Sequence, residues 1–271
     1  MDKIKISGIT VYAYHGVLQS EKELGQTFFI DCEFTIDTSL CNDKIENTVN
    51  YGEVICVIAS FCRENRFDLL ETLANKLSIH LLLNYPLIEE ISITIHKPHA
   101  PISTPFTDVT LTVTRGYNTC YLGVGSNLGD RKSNLLLVEH EIENDENIIL
   151  LKKSTYIETE PYGILDQPNF MNGVLKIRTV YTPKELLYFC KNIEKKAGRT
   201  KTRHWGERTL DVDILFYGDM IYWKDDLKIP HPEICKREFV LKPFVEIEPY
   251  FIHPIEHINM QSLLQRLKKE I

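Results

Sequence analysis

The chain has 271 residues, 43% hydrophobic and 25% charged, which suits one large or two ordinary globular domains and excludes disordered, collagen-like and coiled-coil classes. No apolar run reaches the roughly 18 residues of a membrane span, and the opening residues, with Asp2, Lys3 and Lys5, do not read as a secretory signal. A net charge of −7 argues against a dedicated nucleic-acid binder.

The first half opens with a strand carrying Ile4, Ile6, Ile9 and Val11. Phe28, Ile30, Cys32, Phe34 and Ile36 then alternate at period two, so one face of their strand is buried and the other is wet. Residues 51–64 and 69–83 carry apolar side chains at helical spacing, and Pro86 follows closely, as expected beyond a helix end. Alternation returns at Ile91, Ile93, Ile95 and at Val109, Leu111, Val113. Two strand pairs bracketing two helices predict an α+β unit with a mostly antiparallel sheet. Arg115-Gly116-Tyr117-Asn118 punctuates the chain, and a fresh strand begins at Thr119, which places a domain boundary between 117 and 118.

The second half begins strand, glycine-rich turn, helix, through Gly123-Val124-Gly125-Ser126-Asn127. That turn lacks the Gly-Lys-Ser/Thr ending of a P-loop. Strands are expected around 153–158 and 171–180, then a helix from Pro183 to about 196, a strand over 209–217, and helices from about Cys235 and from Met260. The result is a second α+β domain, residues 118–271.

Seven scattered cysteines without a C-x-x-C fit a reducing, cytoplasmic setting rather than a disulfide framework or a cysteine-rich zinc site. Charge divides unevenly. Residues 1–117 hold 9 Lys and Arg against 15 Asp and Glu, and residues 118–271 hold 22 against 23. Lys195, Lys196, Arg199, Lys201, Arg203 and Arg208 nevertheless cluster with only Glu207 among them, which suits a small anionic ligand. Just beyond stand Asp211 and Asp213. At i and i+2 on a strand they share a face, while Leu210, Val212 and Ile214 point into a core. Paired carboxylates beside a basic loop are the ligand set of a Mg-nucleotide site. The structural alternative is two solvated strand residues next to an unrelated loop.

In the first half, Glu21 is expected in a loop between strands, Tyr51 opens the first helix, Glu71 opens the second, and Lys97 ends a strand. A carboxylate at a helix start can accept paired N–H donors from a flat heterocycle, and a lysine near a tyrosine is an acid/base pair. Singly, each also reads as an ordinary surface, core or strand-end residue.

Their wording carries more. Tyr12-Ala13-Tyr14-His15-Gly16-Val17-Leu18, Glu21, Leu24-Gly25-Gln26, Val49-Asn50-Tyr51-Gly52-Glu53-Val54, Leu69-Leu70-Glu71 and His96-Lys97-Pro98-His99-Ala100-Pro101-Ile102 together resemble dihydroneopterin aldolase over residues 1–116. The resemblance implies the tunnelling fold, an antiparallel sheet with two helices that assembles into a homo-octamer with its site between subunits. It implies that Glu71, with backbone near Leu70, holds the pterin edge, that Lys97 is the general acid/base, that Tyr51 of a neighbouring subunit assists, and that Glu21 faces the hydroxylated side chain. The departures, Ala13 for a common Gly and Gln19 for a common Pro, touch no named role. A retro-aldol cleavage with the ring C=N as electron sink needs neither a lysine Schiff base nor a cofactor. His15, His80, His96 and His99 raise a zinc alternative, but His96 and His99 stand three apart across a strand end and loop, a poor chelating spacing.

Gly125-Ser126-Asn127-Leu128-Gly129-Asp130, Thr159-Glu160-Pro161-Tyr162-Gly163, Asp166-Gln167-Pro168-Asn169-Phe170-Met171-Asn172, the run from Arg203-His204-Trp205-Gly206 to Asp213, and Pro230-His231-Pro232 with Arg237-Glu238-Phe239 resemble 6-hydroxymethyl-7,8-dihydropterin pyrophosphokinase over about 119–250. This implies a ferredoxin-like α/β domain in which Asp211 and Asp213 bind two Mg²⁺ ions with ATP. Phe170 and Phe239 would stack on the pterin, and Asn172, Thr159 and Tyr162 would read its edges. Arg199 and Arg208 would neutralise the transferred diphosphate, and Glu194, Trp205, His231 and Arg237 would line the nucleotide. Lys191 stands where this family often has Gln. The combined expectation is a bifunctional enzyme of folate biosynthesis acting on pterins and ATP, with no nucleic-acid or membrane partner. The alternatives are a pyrophosphokinase whose first half serves only as an oligomerisation scaffold, and a metal-dependent nuclease built on Asp211 and Asp213, which the acidic balance disfavours.

Overall fold

The computed structural model describes residues 1–161, 166–199, 206–224 and 226–270. The chain divides into two compact units, Met1–Tyr117 and Asn118–Ile271.

In the first unit β1 (Asp2–Ala13), a short helix α1 (Gln19–Leu24), β2 (Gln26–Ile36), α2 (Tyr51–Glu64), α3 (Leu70–Asn84), β3 (Glu90–His96) and β4 (Thr110–Gly116) follow in order. The strands form one sheet in the order β1-β2-β3-β4, every neighbour antiparallel. The period-two residues of β2 and β3, Phe28, Ile30, Cys32, Phe34, Ile91, Ile93 and Ile95, are all buried on one face. The inward faces of α2 and α3 supply Val54, Ile58, Leu73, Leu77 and Leu81 to the same core. Each such side chain contributes about 1.5–3 kcal/mol on burial, so this face fixes the register of the sheet. The opposite face is wet and polar, with Ser92 paired to Thr114 and Thr94 to Thr112 through their hydroxyls. One irregularity breaks β1: the register shifts between Ile6 and Ile9, and Gly8 at φ +73° turns its N–H onto Asp31 Oδ1 at 2.8 Å.

In the second unit β5 (Asn118–Ser126), α4 (Arg131–Glu143), β6 (Ile148–Lys153), β7 (Ile157–Thr159), β8 (Phe170–Thr179), α5 (Pro183–Lys196) and β9 (Asp211–Tyr217) precede a hairpin, β10 (Tyr222–Lys224) and β11 (Leu227–Ile229), and two helices, α6 (Glu238–Ile247) and α7 (Met260–Glu270). The sheet runs β6-β8-β5-β9, antiparallel throughout, with β7 also on β8. This is the βαββαβ order of a ferredoxin-like sheet with extra elements. Two cores sandwich it. Leu122, Leu175 and Val212 meet Leu135 and Val138 of α4 and Leu186 and Ile193 of α5 on one side. Tyr121, Val174 and Phe216 meet Leu241 and Phe244 of α6 and Leu263 of α7 on the other.

Three expectations change. Glu21 lies in α1 rather than in a loop, because its carboxylate reaches back to the Leu18 N–H at 3.0 Å and so holds a single helical turn at its N-terminus. The strand expected over 153–158 is two strands, since Ser154 exchanges hydrogen bonds with Val174 and turns the chain between them. The helix expected from Cys235 starts at Glu238; residues 234–236 form only a 3-10 turn, and the extended backbone of Arg237 separates the two.

Candidate active sites

In the first unit, Lys97 leaves the end of β3 and Glu21 arrives on α1, 76 residues apart in sequence, and Lys97 Nζ meets Glu21 Oε1 at 2.5 Å. Their side chains are only 10% and 7% exposed. Lys97 Nζ also reaches the His15 carbonyl at 3.4 Å and lies 5.8 Å from the Phe28 ring centre. Desolvation raises the Glu21 carboxyl, but Lys97 and the N–H groups of Leu18 and Val17 outweigh it and hold the group below its usual value. Gly16 makes the pairing possible. A Cβ there would stand 2.3 Å from the Glu21 carboxyl carbon, so only a glycine leaves room for the carboxylate.

His15 completes the floor. It is 1% exposed, stacks on Phe67 and accepts the Phe67 N–H on Nδ1 at 3.2 Å. Burial first, and the charge of Lys97, push its pKa down to about 4, so it is neutral at pH 7. The sequence reading took His15 only as a spare metal donor. Its place between Tyr14 and Gly16, at the end of a strand, was the available signal.

Tyr51 and Glu71 do not join this cluster within the chain. Tyr51 opens α2 with its side chain 61% exposed, beside Asn50, whose side chain caps the helix by accepting the Gly52 N–H. Glu71 is exposed in the first turn of α3, next to Leu70. That helix begins on Leu69, which has no side-chain acceptor to offer the first-turn N–H groups, so they remain available beside the Glu71 carboxylate.

In the second unit, Asp211 and Asp213 project from the same face of β9, while Leu210, Val212 and Ile214 enter the core. Two arginines bracket Asp211: Arg199 Nη1 lies 2.6 Å from Oδ1, and Arg208 Nη1 pairs with Oδ2. Glu194, buried on α5, binds the set together. It pairs with Arg199 at 2.5 Å and with Lys191 at 2.9 Å, and it accepts the Val212 N–H at 3.0 Å, between the two aspartates. Desolvation, and after it the Asp211 charge, raises the Asp213 carboxyl above its usual value. His231 Nε2 stands 3.9 Å from Asp213, and burial, then Arg237, push that histidine down to about 4. The Arg237 guanidinium lies 5.6 Å from the centre of the Phe239 ring.

Beside this cluster, Asn172 is buried on β8, donates to Thr159 Oγ1 at 2.7 Å, and sets its Oδ1 against Gly125, where a Cβ would lie 2.7 Å away. Phe170, half-buried, is paired with Thr159 in the same ladder. Asn127 went unassigned in the sequence, although the Gly125-Ser126-Asn127 turn marked it. It accepts the Arg208 N–H at 2.8 Å and donates to Gln167 at 3.1 Å and to the Pro168 carbonyl at 3.2 Å, tying the basic loop to the strand that carries Phe170. Tyr162 and Trp205, with Lys201 and Arg203, lie outside the described residues.

Among the described residues no group of three or more His, Cys, Asp or Glu side chains is arranged as a metal cluster. The Asp211 and Asp213 pair is a set of hard oxygen donors that needs positive charge, which the two arginines supply to one member. That chemistry fits Mg²⁺, which takes one or two carboxylates and completes its shell with phosphate and water.

Residues 121–249 match the family model of 7,8-dihydro-6-hydroxymethylpterin-pyrophosphokinase, and residues 4–114 match that of dihydroneopterin aldolase. The folic acid synthesis protein fol1 of Schizosaccharomyces pombe is 31% identical over 284 residues, covering 100% of this chain and 37% of its own length. A 2-amino-4-hydroxy-6-hydroxymethyldihydropteridine pyrophosphokinase of Aquifex aeolicus is 45% identical over 137 residues, covering 51% of this chain and 84% of its own. Among solved structures, the dihydroneopterin aldolase of E. coli in complex with neopterin is 24% identical and covers 43% of this chain and 100% of its own, at a TM-score of 0.40. The chain spans less than half the length of the folic acid synthesis proteins it matches, 37% and 44% for the relatives from S. pombe and Dictyostelium discoideum. The two units thus match the models of two pterin enzymes. The chain belongs to the 7,8-dihydro-6-hydroxymethylpterin-pyrophosphokinase family, with a dihydroneopterin aldolase domain ahead of it on the same polypeptide.

Proposed function

We propose that the chain performs two consecutive steps of folate synthesis, with residues 1–117 as the aldolase domain and 118–271 as the pyrophosphokinase domain. The observation that carries this reading is the presence, in one chain, of two pterin-enzyme domains of which the first makes the substrate of the second. In the first step 7,8-dihydroneopterin loses glycolaldehyde. A base removes the proton of the side-chain 2′ hydroxyl, the C1′–C2′ bond breaks with its electron pair delocalised into the ring C=N, and C1′ is reprotonated to give 6-hydroxymethyl-7,8-dihydropterin. Lys97 is the acid/base, supported by the buried Glu21 carboxylate that also meets the substrate hydroxyls. Glu71 and the free N–H groups near Leu70 hold the pterin edge. Tyr51, exposed and apart from Lys97, acts in a neighbouring subunit of a homo-octamer. No cofactor takes part in this step.

In the second step the hydroxymethyl oxygen attacks the β-phosphorus of ATP and AMP leaves. Phe170 and Phe239 sandwich the pterin, and Asn172, Thr159 and Tyr162 read its edges. Arg199 and Arg208, already neutralising Asp211, turn to the phosphates when the nucleotide arrives. Asp211 and Asp213 would hold two Mg²⁺ ions, which would supply charge neutralisation of the phosphate oxygens. Glu194, Trp205, His231 and Arg237 line the nucleotide side. The setting is cytoplasmic.

The test is a product analysis of purified protein with 7,8-dihydroneopterin, ATP and Mg²⁺, following pterins and AMP by mass. Hydroxymethyldihydropterin diphosphate, AMP and glycolaldehyde are expected together. Failure to cleave dihydroneopterin, with turnover of added hydroxymethyldihydropterin, reduces the first unit to a scaffold. Failure of both overturns the reading.

A further inference from the structure

Next to Lys97, and not part of the catalytic cluster, a line of polar groups crosses β1, β2 and β3 and ends just before β4. It begins at the β1 bulge, where the Gly8 N–H fixes Asp31 Oδ1 at 2.8 Å. The other oxygen of Asp31, on β2, lies 3.5 Å from His96 Nε2 at the end of β3. His96 Nδ1 lies 2.7 Å from Asp108 Oδ2, two residues before β4. The remaining oxygen of Asp108 is buried without a hydrogen-bond partner, so the carboxylate depends on His96 to stay where it is.

The position of this line matters. Residues 98–109 form the loop between β3 and β4, and the Lys97 N–H closes its neck onto the Val109 carbonyl at 2.9 Å. His96 sits on one side of the neck and Asp108 on the other. The direction in which Lys97 leaves the sheet toward Glu21 is thus set where His96 and Asp108 meet. A neutral imidazole has one N–H and can donate to only one of its two carboxylate neighbours; the imidazolium donates to both. Phe29 and Thr110 stand opposite His96 in the sheet, and Asp31 and Asp108 are its ionic neighbours among the described residues.

We propose that His96, clamped between Asp31 and Asp108, is a positioning residue that holds Lys97 in its acid/base geometry. The catalytic part of this statement rests on the aldolase reading of the first unit. The clamp itself does not, and the experiment keeps them apart. In the full chain, hydrogen exchange of the Lys97 amide and retro-aldol turnover are measured for wild type, Asp108→Asn, His96→Gln and His96→Arg. Asp108→Asn and His96→Gln are expected to speed Lys97 amide exchange about tenfold and to lower kcat by a similar factor with KM changed less. His96→Arg, a permanent cation with two donor edges, is expected to restore both. Amide exchange and kcat both within twofold of wild type in Asp108→Asn, with Asp31→Asn equally silent, overturn the proposal. Faster exchange without a fall in kcat refutes the catalytic part and leaves only a structural clamp. If wild type shows no retro-aldol turnover, the aldolase reading falls, and amide exchange alone decides the clamp.

Discussion

Acidification should destabilise the first unit through a single buried histidine. His15 takes up a proton at about 6.5 in the unfolded chain and at about 4 in the folded one. Between those values the unfolded state binds the extra proton, so stability falls as pH falls; it is fully present above 6.5 and lost progressively down to about 4. Integrating the two titrations gives a loss of about 2 kcal/mol between pH 7 and pH 5, and about 3 kcal/mol by pH 4. The cause is local. Protonation destroys the acceptor that Nδ1 offers to the Phe67 N–H and places a cation between Phe28 and Phe67, close to Lys97. Stopping at pH 5 isolates the effect, because Glu21, held below its usual 4.5, loses its stabilising charge only at lower pH.

The assay is urea unfolding at pH 7, 6 and 5, followed by methyl NMR of Ile30 and Ile93 in the core of the first unit. Tryptophan fluorescence will not serve, since both tryptophans, Trp205 and Trp223, belong to the second unit. The control is His15→Asn, whose amide oxygen can replace Nδ1 as acceptor for Phe67 but does not titrate. It should be less stable than wild type at pH 7, because it leaves a cavity, and its stability should stay flat to pH 5. A wild type that is flat over this range, or a variant with the same slope as wild type, refutes the assignment to His15.

Gly16→Ala puts a methyl group 2.3 Å from the Glu21 carboxyl carbon and should destabilise the first unit by about 1–3 kcal/mol; combined with Glu21→Ala, which removes the obstructed group, most of that cost should vanish, and strict additivity in the same urea experiment would show that the clash is relieved elsewhere. Asp211→Ala leaves Arg199 and Arg208 without their shared carboxylate and should lower diphosphate transfer by about a hundredfold or more while retro-aldol cleavage stays within twofold; a parallel fall in both activities, read by product mass, would contradict two independent sites.

What the sequence disclosed follows from what periodicity measures. The run Phe28, Ile30, Cys32, Phe34, Ile36 announced a half-buried strand, and every one of the five is buried. The same rule separated Asp211 and Asp213 from Leu210, Val212 and Ile214, because a strand sorts its residues by parity alone. Where an element spans fewer than two of its own periods the signal fails. The six residues of α1 are fixed instead by the local bond from the Leu18 N–H to the Glu21 carboxylate, and the three-residue strands β7, β10 and β11 by the ladders they form with their neighbours.

The sites divide in the same way. Paired aspartates and the arginines beside them lie within one short stretch and were legible as a unit. Glu21 and Lys97, 76 residues apart, have no local pattern in common, and only the resemblance put both in one site. Asp31 and Asp108 escaped altogether, and His15 and His96 entered only as spare metal donors. Alternation marks His96 and Asp31 as residues on the wet face of the sheet but is blind to which wet residues meet across strands, and that depends on register. The register here is set by the buried Ile and Phe face together with the Gly8 bulge. The apolar half of the pattern therefore decides where the polar half makes contact: a one-residue slip of β3 would send His96 into the core and carry Lys97 away from Glu21, so the residues that build the first site depend for their meeting on residues that never touch it.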